Sequence, residues 1–250
     1  MQYGICHLSL VPVRIYAEDT SEMISQLLYG EHFKILERRK LWSRIRAAFD
    51  ATEGWVSNLQ ITEIEEDSYH LIETIEHQTY TADLVSFVET EKAVLLPVLM
   101  GSHVVSINEL KGTHEGTFTN EKKEKTHLVE TALLYLNTPY LWGGKTPFGI
   151  DASGFAQMVY KINGYKLARS ASGQSMQGVS LSFIEESEAG DLAFFDNSDG
   201  EIYHVGILME NNYIIHVDGI VRIDRIDHTG IFNTELGRYT FQLRVIKQIV

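Results

Sequence analysis

Between positions 139 and 155 the chain runs Pro139-Tyr140-Leu141-Trp142-Gly143-Gly144 and, after a short gap, Gly149-Ile150-Asp151-Ala152-Ser153-Gly154-Phe155. Paired glycines directly after two aromatic residues demand a tight turn, and the second block opens a helix. Phe155, Val159 and Ile162 recur at helical spacing, which predicts a helix from about Asp151 to Lys161 with Asp151 or Ser153 as its N-cap. Backbone N–H groups at such a helix start lack partners and form the positive end of the helix dipole. A thiol placed there ionises easily and becomes a nucleophile. The residue at that place is Ala152.

The 250 residues suffice for one to three domains, and 44% hydrophobic with 22% charged residues is ordinary globular composition. A net charge of −13 argues against nucleic acid or an anionic membrane surface as partner. Cys6 is the sole cysteine, so no internal disulfide framework exists, and on a first strand it reads as a small buried apolar residue. Met1–Cys6 lacks the basic start and apolar stretch of a signal peptide, and the apolar run from Ala93 to Met100 contains Pro97 and is too short to span a bilayer. A cytoplasmic protein is the expectation.

Short runs separated by turns predict an all-β unit over residues 1–64: Ile5–Leu10, Val13–Tyr16, Gln26–Leu28, His32–Arg38, Trp42–Ala47 and Gly54–Val56. Residues 65–120 alternate more weakly, at Leu84–Val88, Val94–Leu96 and His103–Ile107, and are read as a second, divergent barrel or a β linker. Thr119–Lys125 is a charged connector. Within 121–250, His127–Leu136 is expected to be helical, with Leu128, Ala132 and Leu136 at spacing four. After the helix at 151 come strands at Asp191–Phe195, Ile202–Leu208, Tyr213–Val217, Val221–Ile226 and Leu243–Ile249, an α+β pattern.

The Tyr140-x-Trp142-Gly143-Gly144 … Asp151-Ala152-Ser153-Gly154-Phe155 segment closely resembles the catalytic segment of NlpC-type cell-wall cysteine peptidases. That papain-like family has the pattern Tyr-x-Trp-Gly-Gly … Asp-Cys-Ser-Gly-Phe, and its nucleophilic cysteine falls on Ala152. Val11-Pro12-Val13-Arg14 … Leu28-Tyr29-Gly30-Glu31 … Trp42 … Gly54-Trp55-Val56 resembles a bacterial SH3 domain. The implied fold is an α+β papain-like domain preceded by one or two all-β SH3-like barrels. The whole arrangement is similar to γ-D-glutamyl-L-diamino acid endopeptidases, which cut wall peptides bearing a free L-alanine.

The resemblance implies a role for each matching residue. His204 falls on the base and His216 on the residue that orients it, with Gly190–Phe195 matching the strand before them. Tyr140 falls on a tyrosine that stabilises the oxyanion or binds substrate, and Trp142 on a pocket wall. Asp151 and Ser153 flank the missing cysteine, where relatives hold the substrate's amino terminus. Arg169 and Gln174 match an Arg-Asp-x-x-x-Gln segment whose aspartate is Ser170 here. Glu31 either reaches the same amino terminus or is an exposed turn carboxylate. An acidic Asp218 replaces a small residue and either compensates for the lost carboxylate or raises the pKa of His216.

Hairpin register supplies a check on the histidines. A two-residue Asn211-Asn212 turn puts His204 and His216 on opposite faces; an odd loop, such as Met209–Asn211, puts them on one face and directly opposite. The odd loop is expected, because a base and its orienter must touch. No other residue replaces the nucleophile: Ser153 sits about 100° further round the helix, and Cys6 lies in the first barrel. The histidines do not cluster at metal-ligand spacing, and Gly144-Lys145-Thr146 lacks the preceding glycine spacing of a phosphate loop, so neither metal nor nucleotide cofactor is expected. Three functions remain: a wall-peptide hydrolase, active only with cysteine at 152; a non-catalytic muropeptide-binding or sensing protein; and an SH3-driven interaction protein.

Overall fold

Period-two alternation builds the N-terminal region. In a computed structural model describing residues 1–76, 78–105 and 109–250, strands β1 (Gln2–Cys6), β2 (Leu10–Arg14), β3 (Met23–Leu28), β4 (His32–Arg38), β5 (Trp42–Ala47), β6 (Glu53–Ser57) and β7 (Ile61–Ile64) form one sheet. Its order is β3-β2-β6-β5-β4-β1-β7. Val11 and Val13, Phe33 and Ile35, and Ile45 are the inward residues of their strands and meet Cys6, Leu27, Val56 and Ile61 in a single core. This is the SH3-like all-β region, and its strands start and stop within a few residues of the expected ones. Cys6 is fully buried in that core, as expected of a small apolar residue, and burial pushes its thiol up to about 12. Trp55 is buried, with the Arg39 guanidinium 4.2 Å from its ring centroid.

Residues 65–120 open with a helix, α1 (Glu66–Thr74), that the alternating reading does not contain. Tyr69 and Ile72 are its buried face. The strands that follow are β8 (Tyr80–Thr81), β9 (Val85–Thr90), β10 (Leu95–Leu99), β11 (Gly112–Glu115) and β12 (Phe118–Thr119). They make a sheet of order β10-β9-β11 and a separate β12-β8 pair. Of the expected run His103–Ile107, His103 forms an isolated bridge to Tyr80, while Ser106 and Ile107 lie outside the described residues.

The chain divides into two compact units, the first comprising Met1–Lys122 with Trp142–Pro147, the second Lys123–Leu141 with Phe148–Val250. Within the first, the segment containing β13 (Lys145–Thr146) is anchored by polar contacts. Trp142 Nε1 donates to Glu22 Oε1 at 2.6 Å, and the Lys145 N–H donates to Gln26 Oε1 at 2.8 Å. Lys145 Nζ lies 3.1 and 3.2 Å from the two oxygens of Glu31, whose Oε2 also accepts from the Leu28 N–H at 3.0 Å. Gly143 has φ +74°, and a Cβ there would come within 2.5 Å of the Met23 carbonyl oxygen. Glu31 is therefore a buried ion-pair carboxylate and not an exposed one.

In the second unit the elements are α2 (Thr126–Leu133), β14 (Gly149–Ile150), α3 (Ala152–Ile162), α4 (Ala171–Ser175), β15 (Val179–Leu181), β16 (Leu192–Asp196), β17 (Ile202–Met209), β18 (Tyr213–Asp218), β19 (Ile220–Ile226), β20 (Gly230–Asn233) and β21 (Arg238–Gln248). The sheet order is β15-β21-β16-β17-β18-β19-β20. β21 pairs with β16 through Gln242–Lys247 and with β20 through Arg238–Gln242, so one long strand curls the sheet back on itself. The helix α3 packs on β17 and β18, with Phe155, Val159 and Ile162 buried as their spacing predicts. α2 ends at Leu133, short of the expected Leu136. Leu136 is exposed and Tyr135 is buried in its stead, edge-on to Phe155 at 5.8 Å, because the chain leaves the helix as turns. The unit is papain-like α+β.

Replacing Lys145 by Met removes the ammonium that lies 3.1 Å from the buried Glu31 carboxylate, and should lower stability by about 3–5 kcal/mol, read as the urea midpoint. Adding Glu31→Gln, which keeps an acceptor for Leu28, should recover much of that. A single-variant loss under about 1 kcal/mol would match a surface pair instead.

Candidate active site

The Asp151 side chain caps α3. Its Oδ1 accepts the Gly154 N–H at 2.7 Å, and Ala152 is the first helical residue, buried at the helix start. Arg169 then grips the same carboxylate in a two-pronged fork, Nη1 to Oδ1 at 2.9 Å and Nη2 to Oδ2 at 2.5 Å. Arg169 Nη1 also donates to Ser153 Oγ at 2.9 Å, and that hydroxyl donates to Asp151 Oδ1 at 3.1 Å. Ser153 is thus directed into the Asp151–Arg169 pair. Ser170 Oγ caps α4 by accepting the Gly173 N–H at 3.1 Å, and the fully buried Gln174 donates to the carbonyls of Ser153 and Ala168 at 2.8 Å each.

Tyr140 is set beside this group by its backbone. Its N–H donates to the Gly219 carbonyl at 2.9 Å and it bridges Ile150. The ring is half-exposed, and burial together with the Asp151 charge pushes its phenol up. Trp142 and Glu31 belong to the first unit, with the contacts given above.

The loop between β17 and β18 is Glu210–Asn212, an odd count as expected but one residue later than Met209–Asn211. Asn211 and Asn212 both take left-handed backbone, φ 59° and 60°, a conformation asparagine tolerates. The register pairs Gly206 with His216, so His204 and His216 share a face but stand diagonally, not directly opposite. Their rings are perpendicular, with His204 Nε2 3.0 Å from His216 Nδ1. Gly206 makes the diagonal possible: a Cβ there would meet Ile214 Cδ1 at 2.6 Å and His216 Cβ at 2.9 Å.

Two further partners escape the sequence reading. Phe241 on β21 stacks on His204 at 3.9 Å between centroids. The carboxylate that meets His216 is Asp224 and not Asp218, with His216 Nε2 3.0 Å from Asp224 Oδ2. Arg222 Nε donates to the same oxygen at 2.7 Å, and its Nη2 reaches Asp224 Oδ1 and Glu235 Oε2, each at 3.2 Å. The signal was present in the alternation Val221-Arg222-Ile223-Asp224, which puts two charges on one face of a strand. Only the register shows that this face is the histidines' own.

Burial, and the repulsion that a second positive charge beside His216 would meet, push His204 well below its ordinary 6.5. Burial pushes Asp224 up, but hydrogen bonds from His216 and Arg222 outweigh it and hold the carboxyl below its ordinary value. The arrangement can hold a neutral imidazole and stabilise positive charge developing on it.

A helix start capped by aspartate, with paired histidines on neighbouring strands, sits in a papain-like α+β unit. Residues 137–238 match the NlpC/P60 family, and residues 14–61 match the bacterial dipeptidyl-peptidase SH3 domain. The chain carries an NlpC/P60 domain preceded in sequence by a bacterial SH3 domain. Among similar proteins, a γ-D-glutamyl-L-lysine dipeptidyl-peptidase of Bacillus subtilis is 34% identical over 117 residues, 46% of this chain and 36% of that protein. The chain thus spans about a third of that relative. A namesake from Bacillus cereus is 24% identical, covering 81% of this chain and 69% of its own, and dipeptidyl-peptidase 6 of Lysinibacillus sphaericus is 25% identical, covering 81% and 83%. The fold is shared with a crystal structure of an NlpC/P60 family protein from Bacillus cereus, with TM-score 0.81, 17% identity and 99% of both chains covered.

The depressed His204 has a consequence for stability. Below pH 6.5 the unfolded chain takes up a proton here that the folded chain refuses, so stability falls as pH drops through that value towards the folded pKa. The slope from this group reaches about 1.4 kcal/mol per pH unit. Urea midpoints measured between pH 7 and 5 should therefore fall less steeply in His204→Gln, and equal slopes would contradict the assignment.

Proposed function

We propose that the protein is a cell-wall peptide hydrolase of the γ-D-glutamyl–diamino acid type that, as its sequence stands, binds its peptide and does not cleave it through a thiolate. The observation that carries this reading is the surroundings of Ala152: the motif is complete on both sides, and His204 on β17 and His216 on β18 are in hydrogen-bond contact, as a base and its orienter must be. The names of the relatives support the substrate class.

In this reading Ala152 occupies the nucleophile position, His204 is the base, His216 orients it, and Tyr140 supports the oxyanion or the substrate. Asp151 and Ser153 receive the substrate's amino terminus, with Arg169 holding Asp151 in place until a cation competes for it. Ser170 serves as a helix cap where relatives carry an acid. For Trp142 the reading rests on its place in the motif alone. Glu31 is the weakest assignment, since Lys145 and the Leu28 N–H already take up its oxygens.

With a methyl group at position 152 no acyl-enzyme forms, and loss of a nucleophile from such a unit removes nearly all turnover. Incubation with L-Ala-γ-D-Glu-L-diaminopimelate should give binding by calorimetry without cleavage, and Ala152→Cys should raise kcat by about a thousandfold or more. Turnover that Ala152→Cys leaves unchanged would overturn the nucleophile assignment. Equal binding of a peptide with a blocked amino terminus would overturn amino-end recognition. Binding without turnover even in Ala152→Cys would favour the muropeptide sensor, the reading that the departures at Ala152 and Ser170 also suit.

A further inference from the structure

Asp224 and Arg222 have no part in the assignments above, yet they terminate the histidine pair inside the protein. Asp224 is 2% exposed and His216 is fully buried. An ionised carboxylate is an acceptor only, and Arg222 donates to both of its oxygens, so the hydrogen between His216 and Asp224 must reside on His216 Nε2. A neutral His216 then has an unprotonated Nδ1, which can only accept. Its partner 3.0 Å away, His204 Nε2, must donate. A neutral His204 is left with Nδ1 as its one lone-pair nitrogen.

We propose that Asp224, locked by Arg222, is a positioning residue that sets the tautomers of both histidines and thereby selects Nδ1 of His204 as the basic atom. The role assigned to His204 rests on the hydrolase reading above, whereas the tautomer chain does not. When a thiol stands at position 152, its proton passes to His204 Nδ1, giving a thiolate and an imidazolium. The imidazolium charge is stabilised through His216 by the Asp224 carboxylate. The groups facing the pair come from four strands. Phe195 on β16 and Phe241 on β21 are apolar rings, Tyr203 precedes His204 on β17, and Asp224 with Arg222 lies on β19, Arg222 being tied in turn to Glu235. Asp224 is the carboxylate of that set hydrogen-bonded to an imidazole.

The test begins on the unaltered chain, labelled with nitrogen-15 at its histidines. Long-range proton–nitrogen correlation spectra at neutral pH should show His204 and His216 each protonated on Nε2 and bare on Nδ1. Asp224→Asn, which keeps the shape but can present an N–H to His216, should disturb the tautomer of both rings. A His216 protonated on Nδ1 in the unaltered chain, or tautomers indifferent to Asp224→Asn, would overturn the proposal whatever the activity. In the Ala152→Cys background, Asp224→Asn should lower kcat about tenfold to a hundredfold with KM unchanged, a loss of the size seen when the outer partner of a metal-bound imidazole is removed. An unchanged kcat would also overturn it. Absence of turnover in Ala152→Cys itself would count against the hydrolase reading, leaving the tautomer measurement to decide this one.

Discussion

One carboxylate, that of Asp151, holds the candidate site together. It closes the first turn of α3, takes both prongs of Arg169, and receives the Ser153 hydroxyl. Ala152 is the first residue of the helix because Asp151 is the cap, and the residue with the most favourable place for an anion is an alanine. The Ser153 hydroxyl faces the Asp151 carboxylate and so is no substitute nucleophile. Gln174 braces the same turn from α4 by holding the Ser153 carbonyl.

The second polar group, His204-His216-Asp224-Arg222, lies across β17, β18 and β19. Buried polar chains of this kind are tolerable only when each member is satisfied. Here carboxylate, guanidinium and imidazoles each have a partner, and the exposed Glu235 ends the chain at the surface. The diagonal geometry depends on Gly206 opposite His216, since any side chain there would collide with Ile214 and His216. Phe241 roofs His204 because β21 is long enough to serve both β16 and β20. Nothing in this half of the site requires residue 152 to be alanine or cysteine, because its hydrogen bonds run among β17, β18 and β19.

Much of this was legible in the residues alone. Alternation located most strands of the first barrel and of the second unit, and helical spacing located α3, leaving its cap to be Asp151 or Ser153. The shared face of the two histidines followed from the requirement for an odd loop. What was missed depended on long-range geometry. Asp224 joins His216 only through the register of a strand with no motif of its own, whereas Asp218 is nearer to it in sequence. For Glu31 neither a contact with the substrate's amino terminus nor an exposed turn anticipates the buried ion pair, because its cation, Lys145, is more than a hundred positions away. Helical spacing overshoots the end of α2 because Leu136 keeps the period after the chain has left the helix, and Tyr135 takes the buried place. The helix α1 has a weak apolar stripe, Tyr69 and Ile72 in an acidic segment, and so gave little periodic signal.

The central claim is that position 152 is a nucleophile site whose activating surroundings survive. Thiol alkylation tests it without assuming any substrate. In the unaltered chain Cys6 is the sole thiol, and its burial keeps it protonated and out of reach. Ala152→Cys should be alkylated once by iodoacetamide at pH 6 to 7, much faster than a free cysteine, and His204→Gln in that background should slow the reaction sharply. An introduced thiol no more reactive than free cysteine, or indifferent to His204, would contradict the account.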